Sequence, residues 1–168
     1  MAIAESILPE FDHETAKTRR LLERVPADKA EWKPHVKSMS LGQLAMHIAN
    51  LPHWASFTLE RKEFDTNPPD VGRATIPAFE STQHLLEFYD ANVSAARALL
   101  VRTTDPEFMV QWTLKYGGKA IFSMPRVAAF RSFALNHAVH HRGQLTVYLR
   151  LLDVPIPNIY GPTADTQS

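Results

Sequence analysis

The sequence predicts an all-α fold: a four-helix bundle with a short β-hairpin or irregular insertion between the third and fourth helices. Apolar residues recur at helical spacing in four separate segments. The one stretch that alternates instead is centred on Gly117-Gly118. With 168 residues, 45% of them apolar and 21% charged, the chain can enclose a core and is too apolar for disorder. A single domain over residues 1–168 is expected.

The first helix runs from about Ala4 to Val25, with Ile7, Leu8, Phe11, Thr15, Thr18, Leu22 and Val25 on one stripe, and Pro26 stops it. The second starts at a capping box, Ser40-Leu41-Gly42-Gln43, in which hydroxyl and amide satisfy free backbone donors. Its stripe is Leu41, Leu44, Ile48, Leu51, Ala55 and Leu59, with a kink expected at Pro52. A loop from Phe64 to Pro77, carrying Pro68, Pro69 and Gly72, shows no periodicity. The third helix begins at the N-cap Ser81 and ends near Arg102, burying Leu85, Phe88, Tyr89, Asn92, Ala96 and Leu99. Val110, Trp112, Leu114 and Tyr116 then alternate with polar residues up to the Gly-Gly turn. The fourth helix starts around Pro125 and runs to Leu152, before Val154-Pro155-Ile156-Pro157. The polar tail after Gly161 is expected to fray.

Composition removes several classes of function. Eighteen basic residues balance eighteen acidic ones, so the positive field that drives nucleic-acid binding is missing. No cysteine is present, which excludes disulfides, thiolate metal sites and a cysteine nucleophile. Ser38 to Leu59 carries no Lys, Arg, Asp or Glu, but Gln43, His47, Asn50 and His53 would be costly in lipid. A buried helix rather than a membrane span is expected. The N-terminal residues lack a basic region followed by an apolar one, so the cytoplasm is the expected location.

Eight histidines are the main clue. In Asn136-His-Ala-Val-His-His-Arg-Gly-Gln144, His137 and His141 lie four apart and stack on one helix face, about 40° apart around the axis. Steps of three and four from Ala134 land on His137, His141 and Leu145, so both imidazoles interrupt the core stripe where leucine belongs. His47 lies inward on the second helix, between Leu44 and Leu51. Three imidazoles from two facing helices match the way bundles build metal sites, and three neutral ligands leave a position open for chemistry. The bland alternative is a metal-free bundle with hydrogen-bonded core histidines. His140 falls off the stripe, His53 lies beyond Pro52, and His13, His35 and His84 sit in polar surroundings as surface residues. Asn136, His140 and Gln144 are candidates to orient a ligand imidazole. Arg142 reads as a surface or interface ion-pair residue, and Gly143 as a point of close backbone approach. Trp54, Phe57, Tyr89 and Trp112 read as core or pocket lining. No carboxylate stands beside the histidines as a general base, and the His-Glu pattern of zinc peptidases is missing. Catalytic residues are not identifiable, and no organic cofactor motif is present. Ligation needs neutral imidazole, so metal binding should weaken below about pH 6.5.

The run His137 to Gln144, with Tyr148-Leu149-Arg150 and the exit Val154-Pro155, resembles the C-terminal helix motif of the DinB-like family of metal-dependent four-helix-bundle proteins. Trp32-Lys33-Pro34 and Ser40 to Ile48 are similar to that family's second signature, and Tyr160-Gly161 to its closing residues. The resemblance spans nearly the whole chain in order. It implies a divalent ion, nickel or zinc, on His47, His137 and His141. It also implies thiol-dependent transferase or hydrolase-type chemistry on a small-molecule substrate, with a low-molecular-weight thiol as partner. A homodimer is expected, with neither nucleic acid nor membrane as partner. The alternative is a non-catalytic metal-binding or interaction module built on the same bundle.

Overall fold

The computed structural model of the chain describes residues 2–69 and 75–166. It is mostly helical, with a small three-stranded sheet. Helix α1 spans Ile3–Leu22 and α2 spans Leu41–Asn50, extended by a 3₁₀ turn over Leu51–His53 and a π-helical turn over Ser56–Glu60. Helix α3 spans Thr82–Arg102, and a short α4 covers Asp105–Phe108. The last helical stretch is α5, Arg126–Phe130, a π-helical turn over Arg131–Asn136, and α6, His137–Leu151. Helix α1 packs against α3 and α6, and α2 packs against the same two helices, which closes a ring of four.

The starts of α2 and α3 follow from their caps. Ser40 Oγ accepts from the Gln43 amide at 3.2 Å, and Gln43 Oε1 accepts from the Ser40 amide at 2.9 Å. Ser81 Oγ accepts from the His84 amide at 3.0 Å. Pro52 shifts α2 into its 3₁₀ turn, as a ring facing the preceding turn requires. Leu44, Ile48 and Leu51 are fully buried, so the uncharged stretch from Ser38 is core. No helix among the described residues is long and apolar enough to cross a membrane. Residues Leu21, Leu22, Leu41, Leu44, Ile48, Leu85, Leu145 and Leu149 form one core cluster, and Ile7, Phe11, Leu100, Phe108 and Phe130 belong to another.

The hairpin forms where alternation predicts it, with β2 over Gln111–Tyr116 and β3 over Lys119–Pro125. Gly117 and Gly118 carry the positive φ of 58° and 79° that the two-residue turn needs. The insertion is larger than expected, however. Phe64 and Asp65, assigned above to a loop, form β1 with Glu63 (Glu63–Asp65) and pair in parallel with β2, Phe64 opposite Leu114. Asp65 also binds the turn, accepting from the Gly117 amide at 3.0 Å and the Gly118 amide at 2.6 Å. A three-residue strand is too short for a period to register, and its pairing comes from tertiary contact. The Gly72 part of the predicted loop lies outside the described residues.

Two further expectations are corrected. Helix α1 ends at Leu22, three residues early, although Val25 remains buried. The tail does not fray through Thr166: Asp165 pairs with Arg150 and accepts from the Ile156 amide at 2.9 Å.

Candidate metal centre

The capping box and the buried leucines fix α2 so that His47 projects toward α6. The π-helical turn over Arg131–Asn136 leads directly into α6, and His137 and His141 occupy its first two turns. The three side chains converge, each offering a ring nitrogen, all within 4.8 Å of one another. His141 Nε2 lies 2.9 Å from His137 Nε2. The His47 ring centroid is 4.4 Å from that of His141 and 5.2 Å from that of His137. His141 is buried, and the other two are half-buried.

Hydrogen bonding constrains the tautomers. With the Gln144 amide oxygen 2.6 Å from His141 Nδ1, that nitrogen carries the proton and Nε2 presents a lone pair. The contact between the two Nε2 atoms then requires the proton on His137 Nε2, leaving its Nδ1 bare. This Nδ1 is buried without a well-formed hydrogen bond. Burying a polar atom without a partner is unfavourable; if His137 held a metal through Nε2, its proton would sit on Nδ1, where the Phe133 carbonyl acts on the ring.

The electrostatics favour neutral donors. Burial, followed by the proximity of His141 and His137, lowers the His47 pKa to about 4. Burial is also the main cause lowering His137 and His141, while the Gln144 bond opposes it at His141. The donor set therefore fits a divalent cation: three neutral nitrogens already converge, and one has its outer nitrogen held by an amide oxygen.

The other predicted positions divide. Gln144 does orient a ligand-candidate ring. His140 is exposed, its ring 4.8 Å from that of His141 but outside the group of three. His53 is exposed and stacks edge-on against Phe57 at 4.8 Å. Asn136 is exposed. His84, read as surface, is half-buried on α3 with its Nδ1 unpaired. Tyr89 and Trp112 are core, the Trp112 indole donating to the Phe57 carbonyl at 2.8 Å.

Arg142 and Gly143 are corrections. Arg142 is only 2% exposed, and it donates to the Glu14 carbonyl and the Thr18 hydroxyl at 3.0 Å each. It also bonds the Glu14 carboxylate and the Tyr160 hydroxyl. A guanidinium in the core is tolerable only because distant chain segments supply these acceptors, and helical spacing around Arg142 cannot reveal them. Gly143 is exposed, and among the described residues nothing lies within 4 Å of where a Cβ would stand, so no described backbone approaches it.

A family model described as the DinB family matches residues 2–167. The uncharacterized protein YrdA of Bacillus subtilis is 26% identical over 163 residues, covering 96% of this chain and 90% of that protein. The crystal structure of a DinB-like protein from Bacillus subtilis superposes with a TM-score of 0.70 at 20% identity, covering 94% of this chain and 99% of the other. That of a DinB-like protein from Bacillus cereus gives 0.68 at 24% identity, covering 95% and 98%. Both likenesses are of fold.

Proposed function

The chain belongs to the DinB family, and from that premise we propose that it binds one divalent metal ion, nickel or zinc, through His47, His137 and His141. We read it as an enzyme acting on a small molecule. The observation that carries the reading is the convergence of three imidazole nitrogens from two helices. A divalent ion held there supplies Lewis acidity, lowering the pKa of a water or thiol and polarising an electrophile. The chain's own contribution is to keep the imidazoles neutral by burial and to fix the His141 ring through Gln144.

The reading includes thiol-dependent transferase or hydrolase-type chemistry. The four helices are read as a four-helix bundle in one domain, supported by their closed ring of packing and by the fold likenesses. The cytoplasm is the proposed location. A homodimer is proposed through α6, where Val139, Val147 and Leu151 are 38%, 57% and 58% exposed at intervals of four or eight, around the uncovered Gly143.

Metal analysis of protein grown with nickel and zinc tests the reading. Near one equivalent is expected, and less than about a tenth of an equivalent would overturn it. At about 1,000 times its Kd a bound ion stabilises by about 4 kcal/mol, so chelation should lower Tm by about 8–16 °C. Turnover of electrophiles with bacillithiol, mycothiol or glutathione, abolished by His137→Ala, would establish the enzyme. Metal binding without any such turnover would reduce the protein to a binding module.

A further inference from the structure

The seam that carries the three histidines changes character along its length. Its two helical stretches run antiparallel: the Tyr148 hydroxyl donates to the Met39 carbonyl at 3.2 Å at one end, and Trp54 stacks on Phe133 at the other. Between the histidines and the Met39 end, Leu44 and Leu145 are fully buried in one aliphatic core cluster. On the other side of the histidines the walls are aromatic. Phe133 precedes His137 by four residues, about 6 Å along the helix axis, and its carbonyl acts on the His137 ring. Trp54 follows His47 by seven residues on the opposite wall.

These rings form a ladder. Trp54 and Phe133 lie 18° from parallel with centroids 5.1 Å apart, and Phe122 of β3 stacks on Phe133 at 6.1 Å and 4°. Phe64 of β1 meets Trp54 edge-on at 5.1 Å, so the sheet fixes the ladder against the bundle. Burial separates the ladder from ordinary core. Trp54 and Phe133 are only half-buried and Phe122 is 37% exposed, whereas the aliphatic end of the seam is closed. Large rings thus keep open surface about one helical turn from the metal centre, and aromatic faces and edges favour a flat partner. Charge assigns the two parts of a ligand. Three neutral imidazoles leave the charge of a divalent ion unbalanced, so the ion takes an electron-rich head group. The uncharged ladder takes the apolar remainder.

Building on the metal-centre reading above, we propose that Trp54, Phe133 and Phe122 form an aromatic subsite of the His47–His137–His141 centre. It selects a small molecule in which a flat ring is joined directly to an oxygen-bearing, metal-binding head. The head reaches the ion and the ring lies against the ladder, because only about one turn of helix separates the two.

The test compares three probes with one chelating head on the zinc-treated full chain: benzohydroxamate, cyclohexanecarbohydroxamate and acetohydroxamate, by titration calorimetry and ligand-observed NMR. Benzohydroxamate should bind about 10-fold more tightly than acetohydroxamate, with the cyclohexyl probe between them, and its ring protons should shift upfield on binding. Phe133→Leu should reduce the ratio to about 2-fold. Phe122→Ala, at the exposed end of the ladder, should lower it by about 2- to 3-fold with Tm little changed, which keeps the test open if Phe133→Leu fails to fold. Equal affinities for the phenyl and methyl probes, a cyclohexyl probe that matches the phenyl one, or a ratio that neither variant moves would overturn the proposal. Zinc content measured on the same samples separates the two readings. One equivalent of zinc without ring selection defeats the subsite alone. Ring selection on protein that retains no zinc defeats the metal centre, and neither zinc nor ring selection defeats both.

Discussion

Three histidines converge because each replaces an apolar residue on an inward stripe, and that convergence was legible in the sequence. Replacing His47, His137 or His141 singly with Ala should abolish stoichiometric metal retention, whereas His140→Ala and His53→Ala should have much smaller effects. Gln144→Ala, which frees the His141 ring to rotate, should cost about 10- to 100-fold in metal affinity. Isothermal titration with zinc ranks all six variants, and a His53→Ala defect equal to that of His47→Ala would refute the ligand set. The pH window needs the structure. The ordinary histidine value places proton competition near pH 6.5, but burial lowers all three pKa values, that of His47 to about 4. Metal binding should therefore hold nearly constant through pH 6.5 and fall only below it. In the metal-free protein the unfolded chain takes up protons that the folded chain refuses between pH 6.5 and about 4. Stability from this source is thus full above pH 6.5 and is lost as pH falls toward 4. Chemical denaturation in chelator at pH 7 and pH 5 checks the sign, with lower stability expected at pH 5.

At the scale of elements, what was legible depended on length and local chemistry. Four helices with caps, prolines and periodic stripes were readable, as was a hairpin with paired glycines. Strand β1 was not, since Glu63–Asp65 is held by Thr113 and Lys115 across the sheet and not by its own composition. The π-helical turns at Ser56–Glu60 and Arg131–Asn136 also have no local signature. The outward face of α6 has a readable pattern, and it is the face proposed above for the dimer. Val139, Gly143, Val147 and Leu151 repeat every four residues, and a glycine with open space above it lets a second helix come close. Val147→Glu places a charge in that contact while its own fold has little stake in a 57% exposed side chain. Light scattering should report a dimer for wild type and a monomer for Val147→Glu, with Tm little changed. A monomeric wild type at high micromolar concentration would sink the dimer proposal.

For the whole molecule, one charged cluster ties the first helix to the last and to the C-terminal segment. Glu14 on α1 meets Arg142 on α6, Tyr160 from the C-terminal segment donates to the Glu14 carboxylate at 2.6 Å, and Lys17 approaches it at 3.2 Å. The Lys17 ammonium also sits 3.8 Å over the Tyr160 ring. Burial alone would raise the Glu14 pKa, but the bonds from Tyr160 and Arg142 outweigh it and hold the group at about 2. Between pH 4.5 and 2 the unfolded chain therefore binds more protons than the folded one. The resulting stability is complete above pH 4.5 and is lost as pH falls through about 2. Tyr160→Phe keeps the ring beneath Lys17 but removes the hydroxyl shared by Glu14 and Arg142. Tyr160 is 67% exposed, so the loss at pH 7 belongs at the low end for a charge-assisted bond, about 1 kcal/mol. That corresponds to a Tm lower by about 2–4 °C. The Glu14 pKa should rise toward its ordinary value, which moves the variant's acid-unfolding midpoint upward. The stability difference between the two proteins should then narrow as pH drops from 4.5 to 2, because wild type loses the same interaction by protonation. Thermal scans of both proteins across that range decide it. A difference that persists unchanged at pH 2 would mean that the hydroxyl contributes packing rather than support for the Glu14 charge.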